Sequence, residues 1–391
     1  MHQSMHKLNA PAAATATPHA LMSRYALPLV PEITPHMAKK KLYKGNIALA
    51  EGAIRAGCRF YFGYPITPQN EIPEYMSWRI PKAGGGFIQA ESEVAAINMV
   101  LGAAAAGGLA MTTTSSPGYS LMQEGMSFLA ACHLPCLIAN IQRGGPGLGN
   151  IAPSQADYFQ AVKGGGHGDY RVIVLAPESP QEMMDFAIKG FDLAQKYRIP
   201  ALILADGAVG LMMETIEDRI DYIPPEYKKN WALTGAVNRK ANCINSLWLD
   251  ETGVEKNNIA LQNKYAEIKK NEQACETYLT EDAKLVFAAY GFSARIARSV
   301  VDQMRSFGMQ AGLIRPLTLF PFPEDVFAML NGQYTKCVYV IEMSAGQFIE
   351  DVRLSLQHRI PVHFHGSPGG IIPDEEQIYR NAVKLYESLR G

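Results

Sequence analysis

From residue 44 to about residue 215, short runs of apolar or β-branched residues alternate with longer stretches that carry helical spacing. Runs such as 110–114 and 135–141 have the length and composition of strands buried on both faces of a sheet. Between such runs, alanine-rich or amphipathic segments such as 92–107 and 179–197 have the length of helices. The alternation predicts an α/β fold whose parallel sheet is covered by helices.

The pattern changes twice farther along the chain. Between residues 216 and 282 the rhythm is lost, and a charged, weakly apolar stretch around 254–278 predicts a solvated helix in a connector. Strand and helix patterns resume at residue 283 and predict a second α/β unit. We therefore expect a tail over 1–43, a first domain over 44–215, a connector over 216–282 and a last domain over 283–391.

The tail over 1–43, expected to be disordered or extended, differs in composition from the rest of the chain. Its first 36 residues are rich in Ala, Pro, Ser and His, and the first acidic residue is Glu32. Scarce acids are typical of a transit peptide. We favour instead a disordered tail or a true start at Met37, because an ordered pattern begins within ten residues of that methionine.

Charge and cysteine usage exclude several classes of function. The chain has 36 basic and 37 acidic residues, so it carries no basic field for nucleic acid or an anionic membrane surface. No apolar run reaches the roughly 20 residues that span a bilayer. The six cysteines form no C-x-x-C pair, so neither a zinc ribbon nor an iron–sulfur site is expected. Buried thiols in a reducing cytoplasm are the expected state.

Three loops that end predicted strands carry turn residues and polar groups. They are Tyr-Pro-Ile-Thr-Pro at 64–68, Thr-Ser-Ser-Pro-Gly at 114–118 and Arg-Gly-Gly-Pro-Gly at 143–147. Ligands of parallel sheets bind beyond the carboxyl ends of the strands, where such loops meet. We therefore expect the three loops to converge on one edge and to form a site.

Glu93 is the sharpest candidate for chemistry. It lies in the first turn of the predicted helix 92–107, where a carboxylate is common because it interacts with the helix dipole. The helix face that follows it is almost entirely Ala, Gly and small aliphatic residues, which is too smooth for a solvated surface. A carboxylate in that position can hydrogen-bond a protonated ring nitrogen and transfer a proton.

These motifs together resemble a known family. Glu93 with the three loops, and with the segments 112–118, 142–147 and 153–157, resembles the α-type subunit of 2-oxoacid:ferredoxin oxidoreductases over nearly the whole chain after residue 44. The last domain resembles the transketolase C-terminal-like domain of these subunits. The resemblance implies an α/β thiamine-diphosphate pyrimidine-binding domain followed by that α/β domain.

The resemblance also implies roles for five residues. Glu93 would contact the pyrimidine ring of thiamine diphosphate and activate the cofactor, while Ser116 and Gly118 would let the backbone approach that ring. Thr67 would donate its hydroxyl to the 2-oxoacid, although its Pro-flanked segment also suits an ordinary turn. Arg143 would bind the substrate carboxylate in a bidentate manner. An interface salt bridge is the alternative for this arginine.

Other parts of a thiamine-diphosphate site are missing from the sequence. Such sites hold Mg²⁺ through Gly-Asp-Gly followed by Asn-Asn, but residues 205–207 read Ala-Asp-Gly and the pair 257–258 lies too far on. The glycine loop around His167 lacks the P-loop ending, and His363 with His365 lacks further ligands. We therefore expect no metal site in this chain. The cofactor would be shared with a β-type subunit that carries Mg²⁺, next to a γ-type subunit and a ferredoxin-like subunit that carries iron–sulfur clusters.

The implied reaction is oxidative decarboxylation of a 2-oxoacid with coenzyme A, which yields acyl-CoA, carbon dioxide and reduced ferredoxin. Segments 91–96, 143–149 and 346–353 look most similar to the branched-chain group, which acts on 3-methyl-2-oxobutanoate. A 2-oxoglutarate:ferredoxin oxidoreductase subunit is the alternative. A non-catalytic scaffold subunit and a non-oxidative thiamine-dependent lyase are readings from other classes.

Overall fold

The computed structural model describes residues 39–389. Of the predicted tail over 1–43, residues 1–38, with the alternative start at Met37, lie outside the described residues, whereas residues 39–43 belong to a strand. The first part of the chain contains, in order, β1 (Lys39–Lys44), α1 (Gly45–Arg55), β2 (Phe60–Gly63), α2 (Glu71–Lys82), β3 (Gly86–Gln89), α3 (Glu93–Ala105), β4 (Ala110–Thr114), α4 (Ser116–Leu121), α5 (Gln123–Ala131), β5 (Leu137–Gln142), α6 (Tyr158–Val162), β6 (Ile173–Leu175), α7 (Pro180–Tyr197), β7 (Ala201–Asp206), α8 (Gly207–Leu211) and β8 (Met213–Asp218).

The rest of the described chain continues the alternation after a stretch without regular structure. Its elements are α9 (Glu251–Asn271), β9 (Cys275–Tyr278), β10 (Leu285–Ala288), α10 (Gly291–Ser306), β11 (Ala311–Pro316), β12 (Thr318–Phe320), α11 (Glu324–Ala328), β13 (Cys337–Glu342), α12 (Phe348–Leu356), β14 (Val362–Gly366) and α13 (Glu375–Ser388). Among residues 39–389, no helix is both long and apolar enough to cross a membrane.

The larger sheet has the strand order β12-β6-β7-β5-β4-β2-β3. Its strands are parallel except for β12, which pairs antiparallel with β6 at one edge. Every residue of β5 and of β7 is buried. Strands buried on both faces are what a sheet between two helical layers requires, so the predicted parallel, helix-covered sheet is confirmed.

The second sheet has the order β14-β13-β10-β11-β9, in which only β9 runs antiparallel. Successive side chains of a strand point to opposite faces, and this period is visible in β10. Val286 and Ala288 pack into the main hydrophobic core, whereas Leu285 and Phe287 belong to a separate core beneath α10 and α13. One face of the second sheet is thereby fixed against the first part of the chain.

Capping residues set the starts of the helices that matter here. The Ser92 side chain accepts a hydrogen bond from the backbone N–H of Ala95 at 3.2 Å, which fixes the start of α3. Ser179 does the same for α7, where it accepts from the backbone N–H of Glu182 at 3.2 Å. Because α3 begins immediately after Ser92, Glu93 is its first residue.

The predicted helix over 254–278 is wrong in its last third. Helix α9 ends at Asn271, and Cys275–Tyr278 forms β9, which pairs with β11. The strand is stabilised by charge: Glu276 accepts from the Nε of buried Arg315 at 2.8 Å. Arg315 also donates to both carboxylate oxygens of Glu182 on α7, at 2.7 and 2.9 Å. This network depends on residues far apart in sequence, so the local charge pattern does not predict the strand.

Two short strands join a sheet that lies outside the domain in which they were expected. The other domain limits stay a prediction. Strand β9 lies within the expected connector but joins the second sheet, and β12 lies in the expected last domain but extends the first sheet. Gln155 adds a polar link between the two parts. Its side chain donates to the Tyr290 carbonyl at 2.8 Å and accepts from the Ser293 hydroxyl at 2.9 Å.

Candidate functional site

The three predicted loops meet at the carboxyl edge of the first sheet. They follow β2, β4 and β5, which are neighbours in the strand order. Arg143 Nη1 donates to the Thr67 carbonyl at 2.9 Å, which joins the first and third loops. The Arg143 backbone N–H donates to the Ser116 hydroxyl at 3.0 Å, which joins the second and third. The structure therefore brings Thr67, Ser116 and Arg143 together.

Glu93 reaches the same edge from α3 and lies against Gly118. A Cβ atom on Gly118 would lie 2.3 Å from Glu93 Oε1 and 2.1 Å from Thr114 Oγ1. Real Cβ atoms essentially never make such contacts. The residue at this position must therefore be glycine if the Glu93 carboxylate is to stay where it is. The approach of the Gly118 backbone to the pyrimidine ring stays a prediction; within the described chain, the group that lies against Gly118 is the Glu93 carboxylate.

Polar groups around Glu93 lack partners within the chain. The residue is only 4% exposed, yet within residues 39–389 its carboxylate makes no hydrogen bond and no ion pair. The Thr114 hydroxyl, which lies against Gly118 as Glu93 does, is buried without a hydrogen-bond partner. A buried carboxylate without a partner is costly, so a donor from outside this chain is expected at this point.

Ser116 makes hydrogen bonds that the sequence does not predict, and its proposed place beside the pyrimidine ring stays a prediction. Its hydroxyl donates to Asp157 Oδ2 at 2.6 Å and accepts from the Arg143 backbone N–H. Asn140 donates to the same Asp157 oxygen at 2.8 Å. Burial raises the pKa of Asp157, while the hydrogen bonds from Ser116 and Asn140 act in the opposite direction. Ser116 thus fixes the third loop, and Asp157 fixes Ser116.

Arg143 is also more constrained than predicted. It is 7% exposed, and its Nη2 donates to the Leu148 carbonyl at 3.1 Å in addition to the bond with Thr67. No carboxylate of the described residues pairs with it, and its Nε is buried without a partner. The guanidinium therefore holds two loops in place. It retains N–H groups that no other atom of the described chain uses.

Thr67 keeps a hydroxyl hydrogen available. The residue is half-buried, and its Oγ1 accepts from Asn70 Nδ2 at 3.3 Å. A hydroxyl that accepts one hydrogen bond still has its own hydrogen to donate. The position is compatible with a donor to a substrate oxygen.

Residues that sequence reasoning passed over decide how the edge is built. Asp157 lies in the segment 153–157 that carried the family resemblance, but nothing local to it indicates that it accepts from Ser116. Asp206 in the Ala-Asp-Gly segment accepts from the backbone N–H groups of Val209 at 3.0 Å and Phe292 at 2.9 Å. Its carboxylate therefore caps α8 and anchors α10, which agrees with the absence of a Mg²⁺ motif there.

The three histidines considered in the sequence analysis lie outside the loops around Glu93. His167 lies in a loop, and its backbone carbonyl accepts a hydrogen bond from Ser127 Oγ at 2.8 Å. His363 and His365 lie on β14. Across residues 39–389, no group of three or more His, Cys, Asp or Glu side chains is arranged to hold a metal ion.

The fold and the site define a class of protein. A buried carboxylate lies at the start of a helix, against a glycine and beneath three converging loops. This arrangement places a carboxylate without a partner in the described chain at the carboxyl edge of a parallel sheet, where ligands of such sheets bind. The chain therefore has the construction of a cofactor-binding α/β domain with an appended second α/β domain.

Comparison with known proteins gives the family. Residues 51–277 match the family described as pyruvate flavodoxin/ferredoxin oxidoreductase, thiamine diphosphate-binding, and residues 283–378 match pyruvate:ferredoxin oxidoreductase core domain II. The chain is 50% identical over 320 residues to the ketoisovalerate oxidoreductase subunit VorB of Methanothermobacter marburgensis, which covers 81% of this chain and 89% of that protein. The chain belongs to the family of 2-oxoacid:ferredoxin oxidoreductase subunits.

Two further similarities are more distant. The 2-oxoglutarate synthase subunit KorA of Methanocaldococcus jannaschii is 38% identical over 365 residues, or 88% of this chain and 99% of that protein. The structure of 2-oxoglutarate:ferredoxin oxidoreductase from Magnetococcus marinus, with 2-oxoglutarate, coenzyme A and succinyl-CoA bound, superimposes with a TM-score of 0.78 at 29% identity. That match covers 89% of this chain and 65% of the other. The predicted family and the fold class are confirmed.

Proposed function

We propose that this chain is the α-type subunit of a coenzyme A-dependent 2-oxoacid:ferredoxin oxidoreductase and supplies the pyrimidine side of a shared thiamine-diphosphate site. The observation that carries the proposal is the buried Glu93 carboxylate, which packs against Gly118 and has no partner within the described chain. A ring N–H of the cofactor would provide the missing donor.

The residues present fit this cofactor. When bound, thiamine diphosphate supplies the nucleophilic carbon and the electron sink that loss of carbon dioxide from a 2-oxoacid requires. Glu93 would hydrogen-bond the pyrimidine ring nitrogen and hold or move a proton there. Thr67 would donate its hydroxyl to a substrate oxygen, and the unused N–H groups of Arg143 would face the substrate carboxylate. Ser116 and Asp157 would keep Arg143 in position.

We further propose a branched-chain substrate, 3-methyl-2-oxobutanoate. The 2-oxoacid, coenzyme A and two oxidised ferredoxins would give acyl-CoA, carbon dioxide, two reduced ferredoxins and a proton. The 50% identity to a ketoisovalerate oxidoreductase subunit supports this choice. The 38% identity to a 2-oxoglutarate synthase subunit supports 2-oxoglutarate less strongly, and it is the alternative. A difference of one small group on the substrate is read by few contacts, so the assay must decide.

The proposed partners follow from what the chain does not supply. A β-type subunit would carry Mg²⁺ and the diphosphate, beside a γ-type subunit and a ferredoxin-like subunit with iron–sulfur clusters. Leu148 is 80% exposed and Ile151 is 64% exposed, and both lie in the loop that Arg143 anchors at the site. Large apolar side chains exposed beside a site are typical of a surface that a partner covers. The buried free cysteines Cys58 and Cys136 suit a complex in the reducing cytoplasm.

The test is 2-oxoacid-dependent reduction of methyl viologen by the copurified complex in the presence of coenzyme A. We expect turnover with 3-methyl-2-oxobutanoate to exceed that with 2-oxoglutarate and pyruvate; the reverse order would favour the 2-oxoglutarate alternative. Carbon dioxide release without any low-potential acceptor would instead indicate a non-oxidative lyase.

A pair of matched variants tests whether the chain is catalytic. Glu93→Gln should lower turnover about 100-fold or more while the complex still assembles, because the side chain keeps its size but loses its basicity. Glu91→Gln, an exposed glutamate two residues earlier, should leave turnover unchanged. Full activity in the Glu93 variant would support the scaffold alternative.

A further inference from the structure

A pocket lies at the edge of the first sheet where the strands begin, opposite to the edge where Glu93 lies. The connector pocket, as we name it, is a cavity of about 460 Å³ whose lining includes His133, Arg198, Trp231 and Trp248. His133 precedes β5 and Arg198 precedes β7, so both lie at the amino ends of parallel strands. The residues around Glu93 lie at the carboxyl ends, and the two sites are therefore separate.

Basic groups meet at this pocket without acidic partners: His133 and Arg198 line it, and Lys264 contacts both from outside the lining. Lys264 of α9 donates from Nζ to the Arg198 carbonyl at 2.9 Å and lies 2.6 Å from His133 Nδ1. The lining of the pocket contains no carboxylate. Within residues 39–389, neither Arg198 nor Lys264 takes part in an ion pair. Three groups that carry or accept positive charge are thus held together.

The Arg198 guanidinium has donors that the chain leaves unused. It lies 4.6 Å from the centre of the Trp231 ring, and its Nε is buried without a hydrogen-bond partner. Its side chain makes no hydrogen bond within the described residues. Arg198 follows the carboxyl end of α7, where the helix dipole favours a cation. The dipole accounts for one positive charge there, but not for unused donors or for the adjacent lysine.

The electrostatics of the cluster are unfavourable in the chain alone. Burial, together with the charge of Arg198, lowers the pKa of Lys264 to about 7. Burial and the Lys264 charge likewise lower the pKa of His133, although the hydrogen bond with Asn257 opposes this. A bound anion would compensate the repulsion and use the free N–H groups.

We propose that the connector pocket binds a small phosphate-bearing molecule. The Arg198 guanidinium can match two phosphate oxygens in a bidentate manner, and the positive charge of Lys264 next to it favours a doubly charged anion over a carboxylate. Trp231 and Trp248 give aromatic walls against which a planar base packs. The volume is within the range of small-ligand sites, about 300–1,000 Å³. The site does not depend on the proposed reaction.

Calorimetric titration of the copurified complex in phosphate-free buffer tests the proposal, with AMP and inorganic phosphate as the two probes. Arg198→Gln and Lys264→Gln should each weaken binding about tenfold or more, since the first removes a charged donor and the second removes the neighbouring positive charge. Arg380→Gln is the control, because Arg380 is an exposed arginine that pairs with Glu376 at 2.8 Å on α13. Turnover with the 2-oxoacid should not change in the Arg198 variant.

Both probes carry a phosphate group, so a comparison of their affinities shows whether the site needs more than the phosphate. Binding of inorganic phosphate as tight as that of AMP would identify free phosphate as the ligand, and tighter binding of AMP would identify an organic phosphate. Either result supports the site if it depends on Arg198 or Lys264. The proposal is overturned if neither probe binds the wild-type complex, or if binding is the same in both variants as in the wild type. If the Arg198 variant fails to assemble, the Lys264 variant alone decides.

Discussion

Gly118→Ala is a small change with a large expected effect on catalysis. The added Cβ atom would lie 2.3 Å from Glu93 Oε1, whereas ordinary van der Waals contact begins at 3.4 Å. Glu93 or the second loop must therefore move by about 1.1 Å, which is the difference between the two distances. Thr114 Oγ1, at 2.1 Å from the same Cβ, blocks relief on its other side.

The magnitude follows from the role of the carboxylate. A displacement of about 1 Å at a positioned catalytic group costs on the order of 100-fold in rate. Because one methyl group adds no charge and lies beside buried groups of this chain, we expect the complex to assemble normally. The loss should therefore appear in kcat of the viologen assay, with the amount of purified complex unchanged.

Gly102→Ala is the matched control. Gly102 lies in α3, the helix that carries Glu93, and a Cβ there meets nothing within 4 Å. Alanine in an exposed helix interior stabilises the helix by about 0.5–1 kcal/mol relative to glycine. The control should keep full turnover and a slightly higher unfolding temperature. Unchanged kcat in Gly118→Ala would refute the placement of Glu93 against this loop.

Three further predictions concern the supports of the site and the fold. Asp157→Asn should lower kcat/KM about tenfold with assembly retained, because Ser116 loses its carboxylate acceptor and Arg143 its anchor; steady-state assays check this. Arg315→Gln should lower the free energy of unfolding by about 1.5–3 kcal/mol, since it removes the charged donor that half-buried Glu182 and Glu276 share, and urea titration measures the loss. Burial acts to raise the pKa of Glu276, but the charges of Arg315 and a second arginine outweigh it and the pKa is lowered. This contribution to stability is present above the ordinary glutamate pKa, and should fade as pH falls below about 4.5 in thermal melts recorded at stepped pH.

Much of the fold follows from local pattern. Strand β5 is predicted because a run of consecutive apolar residues indicates burial on both faces of a sheet. Helix α3 is predicted because its residues are alanine-rich and have helical spacing. The parallel arrangement then places the ends of β2, β4 and β5 on one edge, which is why the site was expected there. Strand β9 was missed because its stability depends on Arg315, which is 39 positions away.

The site divides in the same way. Glu93 is recognisable because its position in the helix and the smooth face after it are local features. The true partner of Ser116 is not, since Asp157 is 41 residues distant in sequence and meets it only through the fold. The hydrogen bonds from Arg143 to two backbone carbonyls also depend on the path of the loops, and no residue type in the sequence predicts them. Local chemistry is therefore predictable from sequence, whereas the hydrogen bonds that position it are not.

The central claim is that this chain holds half of a thiamine-diphosphate site, and calorimetric titration with the cofactor and Mg²⁺ tests it most directly. The copurified complex should bind thiamine diphosphate at least 100-fold more tightly than the isolated chain, a difference of about 2.8 kcal/mol. The Glu93 carboxylate alone offers one hydrogen bond, which is too little for tight binding. Equally tight binding by the isolated chain would contradict the shared site.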